Sequence, residues 1–287
     1  MRKGGNMFDR LSNSWKLVQA SAAVLASDKE LVIFPILSAI GCFMVAVVFL
    51  VPTILTGFIE SATSETVGQV LGLIVLFVFY VVQYTVIIFA NSALIGAAMI
   101  RLRGGDPTVG DGFRIAFEHF GSVLGYALVS ATVGVILNQL SERGGAIGKF
   151  VSGLVGLAWN VATFLAVPVL VLENVGPLEA VKRSTAYLKK TWGEQIVGNL
   201  GIGTVFGLIF FLVILGGVAG IVVAAMSQIT ALIIVAVVVL VLALVVLGIL
   251  SSTLNGIYQA AVYQYAVEGK TQGFFNSDLV SNAFRAK

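Results

Sequence analysis

Six charge-free apolar runs set the plan of this chain, each long enough for the roughly 20 residues that a hydrocarbon core of about 30 Å demands. They lie at 31–59, 67–100, 121–140, 150–172, 196–225 and 229–267. They predict an all-α polytopic bundle of six transmembrane helices. At 1.5 Å per residue the second and sixth runs would reach roughly 45 Å or more, so these helices must tilt, kink or project into the cytoplasm. Met226, Ser227 and Gln228 break the fifth run from the sixth and predict a tight antiparallel turn.

Outside the runs the pattern has helical period. Phe8, Leu11, Trp15, Val18 and Ala22 share one face, with Arg10, Ser14 and Lys16 elsewhere. After span two, Gly104, Gly105, Asp106 and Pro107 form a turn. Thr108 and Asp111 have the spacing of a capping pair, and Phe113, Phe117 and Phe120 form a stripe. After span four, Pro177 suits a first helical position, and Leu178, Val181, Thr185, Leu188 and Trp192 repeat the N-terminal spacing. Three interfacial amphipathic helices thus each precede a pair of spans, an arrangement that reads as a threefold internal repeat with Arg114 and Arg183 at equivalent offsets. The stretch 159–192 holds one junction of span and interfacial helix, and Pro168 within it is expected to bend span four.

Charge then orients the bundle. All but two of the 17 Lys and Arg residues fall in the N-terminal segment, the loops after spans two and four, and the C-terminal tail. Only Arg143 and Lys149 fall on the other side. Both termini are therefore expected in the cytoplasm of a multi-pass plasma-membrane protein. The division is 1–30, an amphipathic segment without the pattern of a removable signal peptide; 31–267, the membrane domain; and 268–287, the tail.

Composition excludes more than it assigns. Apolar residues make up 58% of the chain, charged residues 11%, and mean hydropathy is +1.02, which places it outside the soluble range. One cysteine, Cys42, and one histidine, His119, exclude a disulfide framework and a His/Cys metal cage. No glycine cluster has the Lys and Ser/Thr of a phosphate loop, and the net charge of +3 is spread over several loops. No cofactor and no nucleic acid is expected. Every Asp and Glu lies in a loop or at a span end, so a proton relay has no carrier.

The segments NSALIGAAMIRLRGGDPTVGDGF, LAWNVATFLAVPVLVLENVGPLEAVKRS, KKTWGEQIVGN and LNGIYQAAVYQYAVEG carry a resemblance over nearly the whole chain. They resemble an uncharacterised family of six-span prokaryotic membrane proteins, a domain of unknown function. More distantly, helices preceding membrane hairpins are similar to the membrane domain attached to some glycerophosphodiester phosphodiesterases. The catalytic barrel of those enzymes has no counterpart here, and the resemblance transfers no catalytic residue.

The remaining candidates are polar groups inside spans and basic groups outside them. Gln83, Asn91, Asn138, Gln139, Asn160, Asn199, Asn255 and Gln259 are costly against lipid and are expected to face the bundle interior. A polar cavity is expected where Asn91 meets Asn255, Tyr258, Gln259 and Tyr263. Arg114, Lys182, Arg183, Lys189, Lys190 and Trp192 are the candidates for lipid or partner contact at the cytoplasmic face. The pairs Gly68/Gly72, Gly121/Gly125, Gly203/Gly207 and Gly216/Gly220 fit close helix packing or self-association. The expected function is a non-catalytic membrane scaffold or partner subunit. Its partners would be membrane lipids, another membrane protein or further copies of itself. The alternative is a channel or transporter for a small or lipophilic substrate.

Overall fold

The computed structural model describes residues 7–55, 66–192, 202–271 and 273–281. Among them the chain is helical with no strand. Helix α1 is Met7–Ser27, and a single 3-10 turn, Lys29–Val32, leads into α2, Ile33–Leu55. Then follow α3 (Thr66–Leu102), α4 (Val109–Glu118), α5 (Phe120–Arg143), α6 (Gly145–Ala162) and α7 (Ala166–Leu172). The rest are α8 (Pro177–Trp192), α9 (Ile202–Met226), α10 (Thr230–Glu268) and α11 (Ser277–Ser281). Six of these segments are long and apolar enough to cross a membrane, α6 and α7 counting as one. The short helices α1, α4 and α8 each precede a hairpin, the order the polar breaks imply. Of the expected first and fifth spans, 56–59 and 196–201 lie outside the described residues.

The long helices are uneven along their length. In α10 the apolar stretch is unburied, whereas Leu254, Ile257, Tyr258, Ala260, Ala261, Val262 and Tyr263 form a core with Ala93–Met99 of α3. Most buried side chains lie at one end of the bundle, where α1, α4, α7 and α8 join it; this is the basic end. At the opposite end, α9 and α10 turn through Ser227 and Gln228, with Gln228 at φ 57° and the Ser227 hydroxyl donating to Ala224 O at 2.6 Å. The close approach between these two helices uses Gly217, where a Cβ would sit 2.3 Å from Leu240 Cδ1. Gly203, Gly207, Gly216 and Gly220 meet nothing within 4 Å. Gly125 is the close-packed member of its pair, with Pro177 Cγ 2.9 Å from its virtual Cβ.

Two faces differ from the spacing rule. In α1 the buried stripe is Ser14, Leu17, Val18, Ser21 and Val24, while Trp15 and Ala22 are exposed. That helix lies against α9 and α10, and small side chains permit the approach that an indole would block. In α8 the buried stripe is Ala180, Ser184, Leu188 and Trp192; Leu178 and Thr185 point outward. In α4 the capping pair forms as spaced: Asp111 N donates to Thr108 Oγ1 at 3.1 Å, and Thr108 N to Asp111 Oδ2 at 3.0 Å.

Span four breaks rather than bends. The break falls at 163–165, ahead of Pro168, which has no N–H to offer the Phe164 carbonyl one turn back. Phe164 N donates to Val161 O and Ala166 N to Thr163 O, both tight three-residue links. Leu165 N leaves the ladder and donates to the buried Ser184 Oγ at 3.0 Å, which fastens the break to α8.

Arg101 closes the junction between α1 and α2. Its guanidinium donates to Ser27 O (2.8 Å), Ser27 Oγ (3.2 Å), Gly105 O (3.1 Å) and Asp106 Oδ1 (3.1 Å). Asp28 is buried beside it, with Oδ2 unpaired among the described residues. Burial pushes the Asp28 carboxyl above its usual range, a rise aided by Glu30 and Asp106 and opposed by Arg101. A raised folded-state value favours the protonated form, so this contribution to stability is present below the unfolded value and is lost as pH rises through the folded one. Asp28→Asn is therefore expected to raise the unfolding midpoint at pH 7 by roughly a few degrees. The gain should shrink as pH falls from 7 toward the ordinary carboxylate range of about 4, measured by thermal scans at matched pH; a gain that grows toward low pH contradicts the assignment.

Candidate functional site

Four loop arginines at the basic end are held within the chain. Besides Arg101, Arg103 Nη2 lies 3.0 Å from Glu268 Oε1 at the end of α10. Arg114 Nη2 lies 2.9 Å from Asp111 Oδ1 within α4. Arg183 pairs with two carboxylates: Nη1 donates to Glu173 Oε2 at 2.7 Å and Nε to Glu179 Oε1 at 3.0 Å. Glu173 follows α7, its side chain only 14% exposed, and it also accepts from Tyr263 Oη of α10 at 3.0 Å. One carboxylate thus joins α7, α8 and α10. Hydrogen bonds to Glu173 and Glu179 hold Arg183 charged well above its usual range, and the same bond from Arg183 lowers Glu179. Burial, then the Glu173 carboxylate, pushes the Tyr187 phenol up.

The lysines behave differently. Lys182 reaches only Glu179, at 3.7 Å, with its side chain 80% exposed. Lys189 and Lys190 are exposed and make no ion pair with a described residue. Among the basic candidates, then, these three remain open to a ligand, while Arg183 and Arg114 are engaged at home. Trp192 needs correcting. It is 4% exposed, its indole N–H donates to Ser281 O at 3.2 Å, and its ring lies 5.9 Å from that of Tyr265. Its partner belongs to the segment 273–281, in which Phe275 and Val280 are buried too.

Of the five residues expected in a polar cavity, the fold brings three together. Asn91 of α3 and Asn255 and Gln259 of α10 line a cavity of about 190 Å³, with Ser252 and with Ser38 of α2. Tyr258 and Tyr263 do not line it. Tyr258 is buried with its ring 5.8 Å from Phe164, and Tyr263 serves Glu173. Asn255, Gln259 and Tyr263 stand at i, i+4 and i+8 on one stripe, but Tyr263 lies a turn beyond the cavity and reaches Glu173, while Tyr258 turns to Phe164. Of the other amides, Asn160 is exposed, Asn138 donates to Glu142 Oε1 at 2.9 Å, and Asn199 lies outside the described residues.

A second cavity, about 380 Å³, lies along the neighbouring side of α2 and α3. The stripe Phe113, Phe117 and Phe120 lines it together with Phe89, whose ring centroid is 4.8 Å from that of Phe117. Sequence spacing shows the stripe but not its partner, because Phe89 sits inside a uniformly apolar run. Local space is tight at the root of this region. A Cβ on Gly112 would lie 2.4 Å from Phe34 Cζ and 2.8 Å from Ala93 O.

Six apolar membrane-length helices, knit together at one charged end, define a polytopic α-helical membrane protein. A family model described as a family of unknown function (DUF6159) matches residues 70–274, most of the chain, and the protein belongs to that family. No curated protein and no solved structure matches it.

The Glu173–Arg183 tie predicts a measurable coupling. Arg183→Gln and Glu173→Gln are each expected to lower the unfolding midpoint, since each removes a charged hydrogen-bond partner. The double variant should cost clearly less than their sum in thermal or denaturant unfolding of the detergent-solubilised protein. Strict additivity would remove the tie.

Proposed function

We propose that this protein is a non-catalytic membrane scaffold. Its basic end sits on the cytoplasmic face of the plasma membrane and contacts anionic headgroups, with both termini on that side. The observation that carries the reading is the division of labour among cations: arginines bind the fold together, and Lys182, Lys189 and Lys190 project from one helix. Lys182 and Lys189 lie seven residues apart and share a stripe of α8. Near an anionic leaflet each contributes about 1 kcal/mol, about fivefold in local lipid affinity. The carboxylates Asp111, Glu173, Glu179 and Glu268 are occupied in structural pairs, which supports a binding role over a catalytic one. The two open glycine pairs of α9, Gly203/Gly207 and Gly216/Gly220, support association with a second copy or another membrane protein. The likeness to membrane domains attached to glycerophosphodiester phosphodiesterases, and a prokaryotic source, belong to the same reading.

A second reading, a channel or carrier for a small or lipophilic substrate, is supported by the amide-lined cavity. The two are separated by lipid preference. In nanodiscs of phosphatidylcholine doped with spin-labelled phosphatidylglycerol, the scaffold reading expects an immobilised anionic lipid fraction. Replacing Lys182, Lys189 and Lys190 by alanine should reduce that selectivity at least fivefold without changing the unfolding midpoint. Unchanged selectivity, together with solute flux in proteoliposomes, would replace the scaffold with the carrier.

A further inference from the structure

The two cavities share Ser38 and Ala90, small side chains at the seam between α2 and α3. One cavity sets amides and hydroxyls among aliphatic side chains and the other is almost wholly aromatic and aliphatic, so the pair has the division of an amphiphile.

Depth follows from helix length. From its start near the Ser227–Gln228 turn, α10 runs through 230–250 without a polar side chain after Thr230, about 21 residues and so roughly 31 Å. That length fills the hydrocarbon core, which places Ser252, Asn255 and Gln259 at headgroup depth. On α3 the same arithmetic from Val67 puts Asn91 just past the core. Thr85 and Val86, on the wall of the aromatic cavity, lie one to two turns deeper than Asn91. The polar cavity is therefore level with lipid headgroups, and the apolar one extends toward their chains.

The polar lining selects the head. Asn91, Asn255 and Gln259 offer amide donors and acceptors, and none of the three makes a side-chain hydrogen bond to a described residue. Ser252 and Ser38 add hydroxyls, and no Lys, Arg, His, Asp or Glu lines the cavity. A phosphate there would lack a cation and an ammonium a carboxylate, each at a desolvation cost. Hydroxyl groups, which both donate and accept, match amides without any charge to neutralise. The volume of about 190 Å³ far exceeds the roughly 10–15 Å³ that a single water requires, so it admits a group of several heavy atoms.

We propose that this seam binds one uncharged, hydroxyl-headed lipid of the acylglycerol class, its head among Asn91, Asn255 and Gln259 and its chain against Phe89, Phe113 and Phe117. Phe117 is 66% exposed, which leaves apolar surface open to an acyl chain. The site stands apart from the α8 lysines and does not rest on the scaffold reading.

The test uses the full chain in phosphatidylcholine nanodiscs containing a diacylglycerol with a diazirine in one chain. Phosphatidylglycerol and phosphatidylethanolamine carrying the same chain serve as comparators, and adducts are mapped by mass spectrometry. Diacylglycerol is expected to label residues 85–90 and 113–120 at least fivefold more than either charged lipid. Gln259→Leu and Asn255→Asp, the second of which keeps the side-chain shape, should each cut that labelling at least fivefold. Phe117→Ala, at an exposed position, should reduce labelling of 113–120, and the lysine-to-alanine variant should leave labelling unchanged. Equal labelling by all three lipids, adducts spread evenly over the bundle, or full labelling in Asn255→Asp would each overturn the proposal. Displacement by excess free glycerol would assign the cavity to a soluble polyol and overturn it as well.

Discussion

In hydrocarbon an apolar helix gains nothing by hiding apolar surface against another, because the solvent is as apolar as its side chains. Everything about this fold follows from that constraint. The opposite end of α9 and α10 is bare: Val223, Val235, Val239 and Leu242 are each more than half exposed, and one glycine, Gly217, marks their tight crossing. What holds the molecule together is concentrated at the basic end, where helix ends emerge and polar groups can form specific bonds. Glu173 accepting from both Arg183 and Tyr263, Arg101 closing on Ser27, and Ser184 accepting from Leu165 are the joints between helices.

Arginine and lysine divide the work on chemical grounds. A guanidinium presents a planar fork of donors that can serve two acceptors at once, as Arg183 and Arg101 do. An ammonium is a compact, strongly hydrated charge on a flexible stem, suited to a diffuse anionic surface. The excess of Lys and Arg at one end of the bundle therefore holds two populations, one internal to the fold and one open to the outside. They are indistinguishable by count and separable by geometry.

The fold was largely legible because hydrocarbon writes its requirement directly into run length. Six runs gave six spans, Met226–Gln228 gave the turn between α9 and α10, and Thr108 with Asp111 gave the start of α4. The site was legible only in part. Asn91, Asn255 and Gln259 converge as their amide chemistry and spacing suggest, whereas Tyr258 packs on Phe164 and Tyr263, a turn further along the same stripe, is taken by Glu173. Within a stretch this rich in polar residues, sequence cannot say which face meets which neighbour. Trp192 was misplaced for a different reason: its partner, Ser281, lies 89 positions away in a short segment with no periodic signal. The face of α1 was rotated because serine counts as polar in a pattern but as small in a helix contact.

The central claim is that the packed, polar end of the bundle lies at headgroup depth while the bare helices fill the hydrocarbon. The depth of single spin labels tests it most directly. With Cys42 replaced by serine, labels at Val239, Ser252 and Lys189 in nanodiscs would be ranked by their relative collision rates with oxygen and a water-soluble nickel chelate. The expected order is Val239 near the bilayer centre, Ser252 at the hydrocarbon boundary and Lys189 in water. A Ser252 label as deep as Val239 would contradict the account.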